Sequence, residues 1–312
     1  MVLTALAVVR MRSLFAVVML SGIFTLLSAL LFVTMDAVDV AFTEAAVGAG
    51  ITTVLMLGTL ALTSRHERPT ARSPLIPLFV VFVTGAALIY GTMDMPNFGD
   101  PTAPAQTHVG ADYIARTPEE IDLPNMVTAV LASYRGYDTL GEVAVVFTAG
   151  IGVLLLISGL AADAAMTRTR EGSEMRHHLI LRVITKLLVG TIMLFALYVQ
   201  FHGDYGPGGG FQAGVIFGAG FILYGLVFGL ENLKRVAPAS VTTSFIAVGV
   251  LVFAGVGIVS QLLGGNYLDY DVLLADDHAG QHIGILVVEL GVGITVAAVM
   301  ITIFMTFAGR QR

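Results

Sequence analysis

The chain has 312 residues, of which 56% are hydrophobic and 12% charged, and its formal net charge is -6. Its mean hydropathy is +0.86. Soluble domains carry about 25% charged residues, so this composition excludes an ordinary soluble domain and points to an all-α, polytopic integral membrane protein. Cys is absent, which excludes disulfides, thiolate metal sites, Fe–S clusters and cysteine nucleophiles. Trp is absent too, so anchoring at the membrane interfaces falls to Tyr, Phe, Arg and Lys.

A helix needs about 20 mostly apolar residues to cross the hydrocarbon core. Eight stretches qualify in chain order: 13–34, 39–62, 75–91, 139–160, 179–201, 210–230, 240–262 and 283–307. Residues 1–9 are apolar but too short to cross. They read as the end of a further helix, and charges follow them instead of preceding them, unlike a signal peptide.

The connecting segments alternate in sign. Arg116 and Arg135 apart, all of the 16 Lys and Arg residues lie in or beside the loops of one side, from Arg10 and Arg12 through Arg65, Arg68, Arg72 and the 168–186 region to Arg310 and Arg312. The opposite loops hold Asp94, Asp100, Asp112, Glu119, Glu120, Asp122, Asp269, Asp271, Asp276 and Asp277. The positive-inside rule then places both termini in the cytoplasm, as an even number of crossings also requires. The polar segment 163–178 divides the chain into a four-span module, 1–162, and a second four-span domain, 179–312. The first module carries an outside insert, 92–137. Its early part is rich in Pro and Gly and reads as loop. After Pro124, the spacing of Met126, Val127, Val130, Leu131 and Tyr134 predicts a short helix.

Ionisable side chains in hydrocarbon cost about 3 kcal/mol or more, so each one needs an explanation. Asp36 and Asp39 fall in the break between the first two spans, where they read either as helix caps or as acids at the mouth of a path. Glu44 lies inside the second span. At the start of the fourth, Asp138 and Glu142 are one helical turn apart, with Arg135 three residues before Asp138. That set fits either a structural ion pair at the helix entry or a carboxylate held ionised at the membrane face. In the last span His282 and Glu289 share a face about 10 Å apart along the axis. Glu289 has no opposite charge within a turn, so it must face protein or a wet cavity. It reads as a proton-exchanging group or as a protonated acid bonded between helices. Lys186, in the fifth span, is explained by snorkelling or by a proton route.

Between the fifth and sixth spans, residues 202–210 hold five glycines and Pro207, along with His202 and Asp204. The backbone must turn sharply there. Gly203, Pro207, Gly208, Gly209, Gly210, Gly214 and Gly218 read as a hinge that runs into a small-residue packing ridge. His202 is a group able to exchange a proton near neutral pH at the mouth of a path. The glycine run fails as a phosphate or dinucleotide loop, because no strand precedes it. No nucleophile–base set or metal-ligand cluster stands out, and His177-His178 reads as a solvated loop before it reads as a metal site.

At these residues the chain resembles a known family. His202-Gly203 with Pro207-Gly208-Gly209-Gly210-Phe211-Gln212, and His282 through Glu289 to Gly293, resemble the MrpB (MnhB) subunit of Mrp-type multisubunit Na⁺/H⁺ antiporters over about 177–307. Asp36 through Glu44 and Tyr134 through Glu142 are similar to segments of the carboxyl-terminal part of the MrpA subunit, which are separate small subunits in membrane-bound hydrogenases. Phe42 stands where that pattern has Leu, and Val38 where it has Pro. Against the family pattern the N-terminus reads as missing most of a first helix, either because it is short or because the start site lies upstream. The resemblance implies a non-catalytic subunit in the cell inner membrane, without cofactors or nucleic acid. Its partners would be antiporter-like large subunits and small membrane subunits, and Na⁺ and H⁺ the transported ions. Two alternatives stay open: a packing scaffold, and a membrane subunit of a related redox-driven complex.

Overall fold

The computed structural model describes residues 1–68, 73–161 and 178–309. Among them every regular element is a helix. In chain order these are α1 (Val2–Arg10), α2 (Leu14–Thr34), α3 (Val38–Glu44), α4 (Thr53–Leu62), α5 (Leu75–Thr92), α6 (Pro104–Thr107), α7 (Val109–Glu120), α8 (Met126–Thr128), α9 (Gly136–Ala161), α10 (Leu179–His202), α11 (Gly210–Phe228), α12 (Leu230–Val236), α13 (Ala239–Leu262) and α14 (Asp277–Ala308). Wide π turns at Ala45–Thr52 join α3 to α4, and others at Ala129–Tyr134 extend α8. Eight helices are long and apolar enough to cross a membrane, with α3, the π turns and α4 counting as one. The expected linker lies outside the described residues apart from His178, as do Arg72, Arg310 and Arg312.

The boundaries differ from expectation where polar residues cap a helix. The last span starts at Asp277, not near 283, because the Asp276 side chain accepts from Ala279 N at 3.1 Å and adds a polar first turn. The sixth ends at Phe228, where Gly229 takes φ 91°, a conformation suited to glycine. Within the insert, α7 forms in a stretch that is polar overall but amphipathic, with Val109, Tyr113 and Thr117 a turn apart on one face. Packing holds it in place: Thr117, Ile121 and Leu123 are buried, and Tyr113 stacks on Tyr134 at 4.7 Å.

The core is built around α14. Its Ile285, Val288, Val292 and Val296 form one buried stripe, and α13, α11 and α9 pack around it. α10 lies on α11, while α2 packs on the α3–α4 span, which touches α11 and α14. No residue of α5 is buried. In lipid, apolar side chains gain little from meeting each other, so helices associate where small residues let backbones approach. A side chain at Gly249 of α13 would collide with Gly291 O and Thr295 Oγ1, and one at Gly291 would lie 2.7 Å from Gly249 O. A side chain at Gly214 of α11 would lie 2.6 Å from Gly293 O. Gly255, also on α13, faces open space.

Gly-to-Ala substitution ordinarily favours a helix by about 1 kcal/mol. At Gly249 and Gly291 the sign should reverse. Gly249→Ala and Gly291→Ala are expected to destabilise by about 1–3 kcal/mol through overpacking, while Gly255→Ala is neutral or stabilising. Thermal unfolding of the purified protein in detergent measures the difference.

Candidate functional site

The glycine turn is folded tightly against the helix that precedes it. Tyr205 N and Gly206 N donate to His202 O at 2.9 and 3.0 Å, and Gly209 N donates to Val199 O at 3.1 Å. Gly209 takes φ 109°, which an L side chain rarely tolerates. A side chain at Gly208 would lie 2.6 Å from Val199 O.

Two other parts of the chain grip this turn. From the insert, Asn125 Nδ2 donates to Gly203 O and Gly206 O at 2.8 and 2.9 Å, and Thr128 Oγ1 donates to Gly203 O at 2.8 Å. From α3, Asp39 Oδ1 accepts from Gly208 N at 3.2 Å, and Thr43 Oγ1 accepts from Gln212 Nε2 at 2.8 Å.

The carboxyl group of Glu289 fits into the turn from α14. A side chain at Gly209 would lie 3.0 Å from Glu289 Oε1, and one at Gly203 would lie 3.1 Å from Oε2. The two bare α-carbons make the hollow that this carboxyl group occupies. The hollow lies at the N-terminus of α11, whose helix dipole favours negative charge. Asp204 and Asp39 are both within electrostatic reach of Glu289.

Asp39, Thr43, Thr128, Glu142, Gln212 and Glu289 together line a cavity of about 280 Å³ whose remaining wall is mostly apolar. That is well above the roughly 10–15 Å³ that one water needs. A groove of about 670 Å³ past Asp138 and Tyr137 adjoins it, sharing Glu142, Val146 and Phe211. Asp39 and Glu289 are close enough to repel when both are ionised, and a shared proton or cation relieves that, while Glu142 stands at the exposed rim. The arrangement is therefore suited to exchanging small cations.

At the polar end of α14, His282 Nδ1 lies 3.6 Å from Asp204 Oδ2, and His278 Nδ1 lies 3.8 Å from Asp122 Oδ2. Burial lifts the Asp204 carboxyl above the usual carboxylate range, and His282 opposes this. On the insert, Tyr134 donates to Glu120 at 2.6 Å. That bond, with Arg116, holds the Glu120 carboxyl below its usual range.

Residues 180–302 match the model of a domain related to the MnhB subunit of Na⁺/H⁺ antiporters, and residues 1–65 match the MbhD model, a subunit of MBH. A Staphylococcus aureus (strain Newman) protein named as antiporter subunit mnhB2 is 34% identical over 133 residues, which are 42% of this chain and 94% of that protein. The chain belongs to the MnhB-related family. In the structure of the Mrp complex from Dietzia sp. DQ12-45-1b, one chain matches all of this MnhB-related chain with a TM-score of 0.80 and 28% identity. This chain spans 34% of that chain's length. A chain of the membrane-bound sulfane sulfur reductase (MBS), an archaeal respiratory membrane complex, matches 75% of this chain over 97% of its own length. There the TM-score is 0.57 and the identity 26%.

The fold of this MnhB-related chain draws Asp39, Glu142 and Glu289 together with Gly208, Gly209 and Gly210, although they lie in distant segments. The other candidates are placed elsewhere. Glu44 points to the α2 side, where a side chain at Gly48 would lie 3.0 Å from Glu44 Oε1 and 3.1 Å from Thr25 Cβ. Asp36 is exposed in the α2–α3 break with φ 61°. Asp138 is ion-paired to Arg135 at 2.5 Å on an exposed surface. Lys186 is exposed on α10, and the His202 ring stacks on Tyr198 at 4.9 Å. Gly210, Gly214 and Gly218 face Glu289, Gly293 and Met300 of α14. Sequence reasoning missed Asn125 and Thr128. The available signal, an Asn after Pro124 and before an apolar helical run, marks a cap. Asn125 Oδ1 does cap α8, accepting from Val127 N at 3.0 Å, but its amide nitrogen reaches the turn 78 residues away.

Asn125→Ala removes both bonds to the turn and should cost about 1–3 kcal/mol by leaving carbonyls underpaired. Hydrogen exchange is expected to quicken across 203–210 and 126–134 while α13 stays protected.

Proposed function

We propose that the chain is a non-catalytic membrane subunit of a multisubunit Na⁺/H⁺ antiporter of the Mrp type, and that its acids contribute to the ion or proton path. One observation carries this reading: Asp39, Glu142 and Glu289 converge on one cavity at the N-terminus of α11. The family membership and the likeness to a chain of the Mrp complex support it. The partners would be the other subunits of such a complex, within the lipid bilayer of the cell inner membrane. The basic loops would face the cytoplasm, along with both termini. On this reading 1–162 is an MrpA-like module and 179–312 an MnhB-like domain, and they meet across the cavity. Asp36, Glu44, Asp138, Lys186 and His202 then have structural or peripheral roles. The exposed, ion-paired Asp138 fixes the entry of α9, and Lys186 snorkels.

A second reading is favoured by the match covering 97% of a chain of the MBS complex. In it, the same module serves a redox-driven complex, and Fe–S or flavin absorbance among the co-purifying subunits would distinguish the two.

Asp39→Asn, Glu142→Gln and Glu289→Gln in the assembled complex test the path. Glu289→Gln is expected to cut cation-dependent proton flux in vesicles by at least about tenfold, as loss of a proton-transfer group does, with assembly unchanged. Full flux in all three would leave the chain a packing scaffold.

A further inference from the structure

His282 and Glu289 lie seven residues apart on α14, about 10 Å along the axis. Proton transfer needs groups within about 3 Å of one another or bridged by one water, so these two cannot exchange a proton directly. The glycine turn brings a third group, Asp204, near His282 and within electrostatic reach of Glu289. Asp204 Oδ2 lies 3.6 Å from His282 Nδ1, and the residue before Asp204 presses on the acid in the cavity, since a side chain at Gly203 would lie 3.1 Å from Glu289 Oε2. Exposure falls from His282 to Asp204, whose side chains are 35% and 18% exposed. The Asp204 backbone is pinned, because Asn125 N donates to its carbonyl at 3.0 Å.

We propose that Asp204 relays protons between His282, at the membrane face that carries the turn, and Glu289 in the cavity. This rests on the reading of Glu289 as a path residue. In one direction His282 takes a proton from water, hands it to the Asp204 carboxylate and returns to neutral imidazole. Asp204 then passes the proton through bridging water to the Glu289 carboxylate and is left ionised. One proton moves, and no electrons move. Burial lifts the Asp204 carboxyl, which favours its taking up a proton at this position.

The groups around the relay are few. Glu289 and Asp39 face it from α14 and α3. The insert contributes neutral Asn125 and Thr128 and the Asp122 carboxylate, which pairs with His278 instead. His202 of α10 is stacked on Tyr198, and a side chain at Gly206 would lie 3.0 Å from its Nε2. Among the described residues His282 is the basic group in ion-pair reach of Asp204.

The test uses the whole complex in proteoliposomes, with pH varied on one face at a time. Asp204→Asn should lower the maximal exchange rate by about tenfold or more and flatten the response to pH on the turn's face alone. Asp204→Glu should keep most of the rate, and His282→Gln should reproduce the flattened profile without altering the turn. The relay is overturned if Asp204→Asn or His282→Gln keeps the wild-type rate and profile, or if Asp204→Glu loses as much as Asp204→Asn with the profile unmoved. Glu289→Gln separates the two ideas. Full activity in that variant overturns the relay, and the acid path as well if Asp39→Asn and Glu142→Gln are also fully active, whereas an inactive Glu289→Gln beside a fully active Asp204→Asn overturns the relay alone.

Discussion

The close approach of α11 to α14 governs the rest of the structure. Gly210 lies against the backbone carbonyl of Glu289, and Gly214 against Gly293. Apolar surface alone does not hold two helices together in lipid, so this backbone contact fixes both their separation and their rotation. The same contact delivers Glu289 to the first turn of α11. A helix packed one side chain further out would leave the carboxyl short of the glycine hollow and facing hydrocarbon, where it is costly.

The turn at 202–209 acts as the joint between parts of the chain that are far apart in sequence. Its carbonyls accept from the insert through Asn125 and Thr128, and its Gly208 N–H donates to Asp39 of α3. Its bare α-carbons receive α14. A turn made of ordinary residues would bury its own polar groups under side chains. A glycine turn leaves them open to partners from three directions, so its backbone groups are satisfied although it forms no helix.

Much of this was legible in the sequence because lipid imposes strict rules. Crossing length sets the eight spans, and the α10–α11 turn follows from Pro207 and its glycines. The lone acid in an apolar helix marked Glu289 as needing an explanation. What could not be read was which acids share a space. Asp39 at the break and Glu44 inside the second span both read as candidate path acids, yet five residues of helix turn them to different sides, one to the cavity and one to α2. Their rotation depends on where α3 docks, which no local pattern specifies. The helix α7 was hidden for a related reason: its stretch is polar overall, and its one apolar side is explained only by the contacts of Thr117, Ile121 and Tyr113.

The π turns at Ala45–Thr52 bear on how the chain tolerates changes of length. Hydrogen bonds there reach five residues back instead of four, so the segment stores slack between Asp39 on the cavity side and α4. Loss of one residue within it could be absorbed by rewinding to an α-helix, with both ends left in register. α14 has no such reserve, because it is α-helical from Asp277 to Ala308. One residue lost between His282 and Glu289 would swing everything beyond it by about 100°. A one-residue deletion should therefore be tolerated in the second span and not in the last.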